Sequence, residues 1–246
     1  MSDGRFESSV RSPLSVLDTL RISVPTVLDG VLHRSSAERC DARIGWWARR
    51  LVERTTDDLR VHGREHFPKG RTVLVMSNHQ SHYDVPYLLH ALGSNMRMIA
   101  KKELYRIPVF GPALRASGFV EIDRSSKERA QKSLAEAAEL IRRGIPLWIA
   151  PEGTRSKDGS LLPFKKGGFH LALETGVPIL PVSINGTRTI LPSGAFSSAR
   201  VPVVQLTVHP VVETAGLSNN ADTRETLMAS VRQTIAAALP SISLPG

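Results

Sequence analysis

Hydrophobic positions in the first sixty residues recur at steps of three and four. Leu17, Leu20, Val24, Leu28 and Val31 form one stripe, and Ile44, Trp47, Ala48 and Leu51 a second. That spacing predicts amphipathic helices over 13–60, with Pro25 as a kink or restart. Beyond residue 70 the pattern changes. Short apolar, β-prone runs at 72–77, 96–100, 118–122, 145–150, 178–184 and 203–209 alternate with helical stretches at 85–92, 127–143, 167–175 and 223–239. Ser126 is placed to cap the second of these helices and Asp222 the last. The alternation predicts an α/β fold, with a mixed, largely parallel sheet flanked by helices and preceded by an N-terminal amphipathic helical segment. The chain divides accordingly into residues 1–60, the helical segment, and 61–240, the α/β domain.

Composition narrows the picture. The 246 residues are 41% hydrophobic and 22% charged, which fits a packed core and argues against disorder. Cys40 is the only cysteine, so neither an internal disulfide nor a cysteine-based metal site is possible. The N-terminus is polar and acidic, unlike a secretory signal. The longest internal run free of charged side chains is 175–187, 13 residues. A spanning helix needs roughly 18 or more apolar residues, so no transmembrane helix is expected, and the single cysteine suits a reducing, cytoplasmic compartment.

Of the net charge of +9, +8 lies in residues 61–170, which hold 18 basic and 10 acidic side chains. An anionic partner is expected there. Nucleic acid is disfavoured, because aromatics are only 5% and no basic run is interleaved with stacking residues. The adjacent Trp46 and Trp47, with Arg43, Arg49, Arg50 and Arg54 nearby, suit a lipid headgroup layer. The alternative is a helix packed on the core.

The run 72–77 leads straight into Asn78, His79, Gln80, Ser81, His82, Tyr83 and Asp84. On a continuous helix His79 and Asp84 would lie about 140° apart. They meet only if a strand-end turn separates them, with Asp84 at a helix start as its cap and Pro86 near that start. Asp84 would then hold one ring nitrogen of His79, leaving the other to take a proton from an alcohol. Two alternatives stand beside this: a capping Asp next to a polar His, and a zinc site of His79, His82 and Asp84.

Other loops suit an anion. Arg124 follows the strand run 118–122, and its planar fork matches phosphate oxygens. Pro151, Glu152, Gly153, Thr154, Arg155 and Ser156 follow another run, offering amides, hydroxyls and a guanidinium. Lys165 and Lys166, and Lys101 and Lys102, are further cations at run ends. The apolar segment 177–182, which includes Pro181, reads as a core strand or as the lining of an acyl slot.

These four pieces, in this order, resemble the glycerolipid acyltransferase family, the lysophosphatidic-acid acyltransferases of phospholipid synthesis. The resemblance covers roughly residues 60–190. It rests on N-H-x4-D at Asn78, His79 and Asp84, on G-x3-I-x-R at Gly118, Ile122 and Arg124, on P-E-G-T-R-S at 151–156, and on V-P-I-x-P-V at 177–182. Three departures are visible: Ala150 stands where the third block usually has Phe, Glu121 and Ile122 occupy a stretch that often carries Phe, and the N-terminal segment is charged where many bacterial relatives have long apolar helices.

The resemblance implies transfer of a fatty acyl group from acyl-CoA or acyl-carrier protein to the free hydroxyl of a lysophospholipid, 1-acyl-glycerol-3-phosphate, at a membrane surface, with no cofactor and no metal. His79 would be the general base and Asp84 its orienting partner, in a catalytic domain spanning 61–240. Arg124 and Arg155 would bind the acceptor phosphate, and Asn78, Lys101, Glu152, Gly153, Thr154, Lys165 and Pro181 would complete the substrate-binding set. Another lysolipid acceptor, a non-catalytic lipid-binding relative and the zinc hydrolase are the competing readings.

Overall fold

In the computed structural model, which describes residues 3–123, 125–195 and 197–240 with side chains from Pro13 onward except that of Lys127, two long helices lead into a seven-stranded sheet. Helix α1, Asp3–Val31, runs through both Pro13 and Pro25, so the expected restart at Pro25 does not occur. Its stripe of Leu17, Leu20, Val24, Leu28 and Val31 faces solvent, 40–70% exposed. The opposite face buries Asp18, Ser23 and Thr26. This helix is therefore polar inside and apolar outside.

Helix α2, Ala37–Thr55, starts at Ser36, whose side chain accepts from the Arg39 amide. Its apolar face, with Ile44, Ala48, Leu51 and Val52, enters the core. Polar bonds tie it to α1: Arg54 to Asp18 at 2.8 Å, Arg43 to Asp29 at 2.7 Å, and Trp47 Nε1 to Thr19 Oγ1 at 2.9 Å. Arg21 lies over the Trp46 ring, 5.3 Å from its centroid. The tryptophans thus serve the α1–α2 contact. Both remain partly exposed, and the large exposed apolar side chains of these two helices are those of the outer stripe of α1.

Residues 56–60, read from the sequence as helical, belong to strand β1, Thr56–His62. The remaining strands are β2 (Leu74–Ser77), β3 (Arg97–Lys101), β4 (Val120–Ile122), β5 (Leu147–Ile149), β6 (Ile179–Asn185) and β7 (Val201–Val208), each inside or within two residues of an expected run. The order across the sheet is β1-β7-β6-β2-β5-β3-β4. Strands β2 to β6 are mutually parallel, β7 runs antiparallel to β6, and β1 pairs parallel with β7.

Alternation along β2 sends Val73 and Val75 to one face and Leu74 and Met76 to the other. The first face is covered by α2 and α3 (Asp84–Leu92), the second by α5 (Lys127–Arg142), α6 (Gly167–Thr175) and α8 (Ala221–Ala237). Ser126 caps α5 as expected, whereas α8 is capped by Asn220, two residues before the expected Asp222. Two short helices, α4 (Phe110–Ala116) and α7 (Thr187–Ile190), were not legible as periodic segments. No helix among the described residues is long and apolar enough to cross a membrane.

Candidate active site

The five parallel strands deliver their carboxyl ends to one edge of the sheet, where α/β folds gather functional groups. Strand β2 ends at Ser77, and the chain turns at once through Asn78 and His79. Asn78 is buried. Its amide group donates to the Ile184 carbonyl at 2.9 Å and accepts from the Ile184 amide at 2.7 Å, locking the end of β2 to the end of β6. Asn78, expected among the substrate-binding residues, forms a bridge between strands here.

His79 is held from both sides of its backbone. Its amide donates to Glu152 Oε1 at 2.7 Å, and its carbonyl accepts from the Ser156 amide at 2.8 Å. Its ring meets the edge of Trp148, with centroids 5.6 Å apart, and Trp148 is itself fixed by Nε1 donating to Ser77 Oγ at 2.9 Å. His79 Nδ1 lies 2.7 Å from Asp84 Oδ2. Asp84 opens α3, yet its carboxylate turns back: Oδ2 also accepts from the Gln80 and Ser81 amides at 2.8 and 3.0 Å. Its other oxygen, Oδ1, accepts from Thr187 Oγ1 at 2.5 Å.

Asp84 is fully buried and ringed by donors, while the His79 side chain keeps 16% of its surface. An acceptor on Nδ1 puts the proton there and leaves Nε2 as the basic nitrogen of the ring. In the alternative zinc arrangement His79, His82 and Asp84 would converge on one point. Here Asp84 bonds His79 itself, and no group of three or more His, Cys, Asp or Glu suited to a metal occurs among the described residues.

Glu152 is buried, with Oε1 taking the His79 amide and Oε2 the Leu162 amide at 2.8 Å. Burial pushes its pKa up to about 7, against the lowering effect of those two amides. Through these two bonds it joins the loop after β2 to the loop after β5. Gly153 sits at a left-handed φ of 72° and shapes the turn. Pro181 is buried within β6, and its carbonyl accepts from the His209 amide at 3.0 Å, the core-strand placement that was one of the two readings of 177–182.

Thr154 and Lys165 are exposed, Arg155 is half-buried, and Lys101 is exposed at the end of β3. The side chains of Lys101, Arg155 and Lys165 make no hydrogen bond or ion pair among the described residues. Lys102 differs, since it bonds Asp123 at 2.9 Å. Hydrogen bonds from Ser125 first, then from Lys102 and Arg129, hold the Asp123 carboxyl well below its usual range. Arg124 lies outside the described residues. The charge of Arg155 reaches His82, whose pKa is lowered to about 4 by desolvation first and then by Arg155, with Lys101 a weaker contributor. Sequence reasoning missed Thr187 and Arg188. The latter approaches the loop after Arg155, its Nε 3.2 Å from where a Gly159 Cβ would sit. A Gly before Thr-Arg at the end of an apolar strand was the available signal.

Comparison with known proteins is consistent with this geometry. A family model described as Acyltransferase matches residues 58–185. A chloroplast 1-acyl-sn-glycerol-3-phosphate acyltransferase of Brassica napus is 39% identical over 150 residues, 61% of this chain and 43% of that protein. The alpha form from Mus musculus is 34% identical over 189 residues, 76% of this chain and 66% of that protein. The chain spans about half the length of the first curated relatives it matches. The crystal structure of the 1-acyl-sn-glycerophosphate acyltransferase PlsC from Thermotoga maritima superposes with a TM-score of 0.73 at 31% identity, covering 96% of this chain and all of that one. With the family model matching residues 58–185, and with the His79–Asp84 pair bonded to the 151–156 loop through Glu152 and Ser156, the chain belongs to the acyltransferase family.

Proposed function

We propose that this protein transfers a fatty acyl group from a thioester, acyl-CoA or acyl-carrier protein, to the free hydroxyl of 1-acyl-glycerol-3-phosphate, forming phosphatidic acid. The observation that carries the reading is the 2.7 Å contact between His79 Nδ1 and buried Asp84 at a sheet edge that also presents Lys101, Arg155 and Lys165. The names of the relatives support the same acceptor.

In this reading the acceptor hydroxyl gives its proton to His79 Nε2 as its oxygen attacks the thioester carbonyl. The C–O bond forms, the C–S bond breaks, and the imidazolium returns the proton to the departing thiolate. General-base help of this kind is worth about 10²–10⁴-fold. Asp84 fixes the tautomer and stabilises the imidazolium. Arg155, with Arg124, binds the acceptor phosphate and sets the hydroxyl against His79, with Lys101, Thr154 and Lys165 on the same rim. The outer stripe of α1 rests on the membrane that holds the lipid, so that the enzyme acts peripherally.

Purified protein given lysophosphatidic acid, other lysolipids and each donor tests the assignment. Phosphatidic acid is the expected product, and none is expected from His79→Ala. In the same assay Arg155→Ala should raise the acceptor KM about ten- to a hundredfold, the worth of one charge-assisted bond, with the donor KM unchanged. Binding of lipid without turnover by the wild type would favour a non-catalytic relative and overturn the proposal.

A further inference from the structure

Thr187 carries a hydrogen bond to the proton-transfer pair that none of the four motif blocks contains. A carboxylate has two oxygens and about four acceptor positions. On Asp84 three donors fall on Oδ2, and the Thr187 hydroxyl is the donor on Oδ1, at 2.5 Å. Both side chains are fully buried, so no bulk water replaces that donor.

The surrounding chain aims Thr187 at this point. Strand β6 ends at Asn185, and Gly186 turns with φ 99°, where a Cβ would stand 2.8 Å from the Val203 carbonyl oxygen. Only glycine makes that turn without strain. Upstream, Ile184 is bonded twice by Asn78; downstream, Ser81 Oγ donates to the Leu191 carbonyl at 2.9 Å. The four-residue helix α7 is thus clamped at both ends to the segment that carries His79 and Asp84.

We infer that Thr187 is a positioning residue of the acyl transfer, an inference that rests on the function proposed above. It holds the rotation of the Asp84 carboxylate, keeps Oδ2 in line with His79 Nδ1, and withdraws charge from the carboxylate. Removing the hydroxyl leaves Oδ1 buried without its donor. The less stabilised anion then attracts the His79 Nδ1 proton more strongly, and the imidazolium is favoured. Other charged or titratable groups acting on this pair or on the adjoining loop are Glu152 behind the His79 amide, His82 in the intervening turn, and Arg155 and Lys101 from the neighbouring loops. The comparison of variants holds all of these constant.

Thr187→Val keeps the shape and deletes the donor, whereas Thr187→Ser keeps the donor. The valine variant should lose kcat by about ten- to a hundredfold, with both KM values unchanged. The acid limb of its pH–rate profile should move to higher pH, and serine should restore both. A structural role alone would not shift that limb. Thr187→Ala takes the place of the valine variant if valine does not fold. A valine variant with wild-type kcat and an unmoved acid limb overturns the inference. Proton NMR titration of the His79 ring, identified by its loss in His79→Ala, reads the same effect without turnover. If the wild type transfers no acyl group, the proposed function falls. An upward titration shift in valine and not in serine still supports the coupling, and identical titrations overturn it.

Discussion

Glu152 places two amide hydrogens, from His79 and Leu162, on one buried carboxylate. Its pKa in the fold is about 7, above the ordinary 4.5, because burial opposes the charge. The folded protein therefore keeps this proton between pH 4.5 and 7 while the unfolded chain has released it. Stability from this group falls as pH rises through that window, by about 3 kcal/mol in total. Glu152→Gln should flatten that slope, read as the difference in unfolding free energy between wild type and variant from pH 5 to 8. The variant should also lose kcat, because one of the two loop amides then meets an NH2 group. At this scale the sequence was informative where chemistry needs a particular side chain in a particular turn: the five-residue spacing of His79 and Asp84 demanded a break between strand and helix, and the break is there. It is silent where a motif residue bonds the backbone of a distant segment. Asn78 and Glu152 stand in the motifs, yet they tie loops together, a role that depends on partners 106 and 73 residues away and leaves no local pattern.

Helices α1 and α2 show how far periodicity reaches. The three- and four-residue steps fixed both as helices, but they do not say which side meets the protein. For α2 the apolar stripe is the inner face. For α1 the inner face is held by Asp18, Asp29, Thr19 and Thr26 bonded to α2, and the apolar stripe looks outward. An exposed ridge of this kind marks a membrane or partner surface, and the lipid acceptor proposed above selects the membrane. Leu20→Glu with Leu28→Glu should reduce co-sedimentation with anionic vesicles and spare transfer to a short, soluble acceptor. Trp46→Ala and Trp47→Ala should act differently, lowering the melting temperature through the lost Thr19 bond and Arg21 stacking. Equal loss of vesicle binding from both pairs, with stability untouched, would return the headgroup contact to the tryptophans. The elements that escaped the sequence share a physical reason: β1 carries Asp57, Asp58 and Arg60 on a sheet edge, which hides its alternation, and α4 and α7 are too short to show a period.

Across the whole molecule, the alternation of strands and helices was enough to give the α/β class and the parallel centre of the sheet. The reversal of β7 and the docking of β1 beside it were not visible, because pairing between distant segments is written in neither one. That pairing has a consequence for the order in which the protein is made. Thr56 of β1 lies opposite Val201 of β7, so the two partners are synthesised far apart. Chains emerge from the ribosome N-terminus first, at about 5–20 residues per second. For several seconds, then, α1 and α2 are available while the strand that follows them has no neighbour, and contacts of such sequence separation are slow to form. A chain ending at residue 195 lacks β7 and α8 altogether. Such a fragment should be cut by protease within 56–62, where the 246-residue chain resists. Protection of that segment in the shorter chain would show that β1 has found another partner. During those seconds the ridge of α1 already exists, and if it is the membrane contact proposed above, the nascent chain can settle on a bilayer before its catalytic edge is assembled.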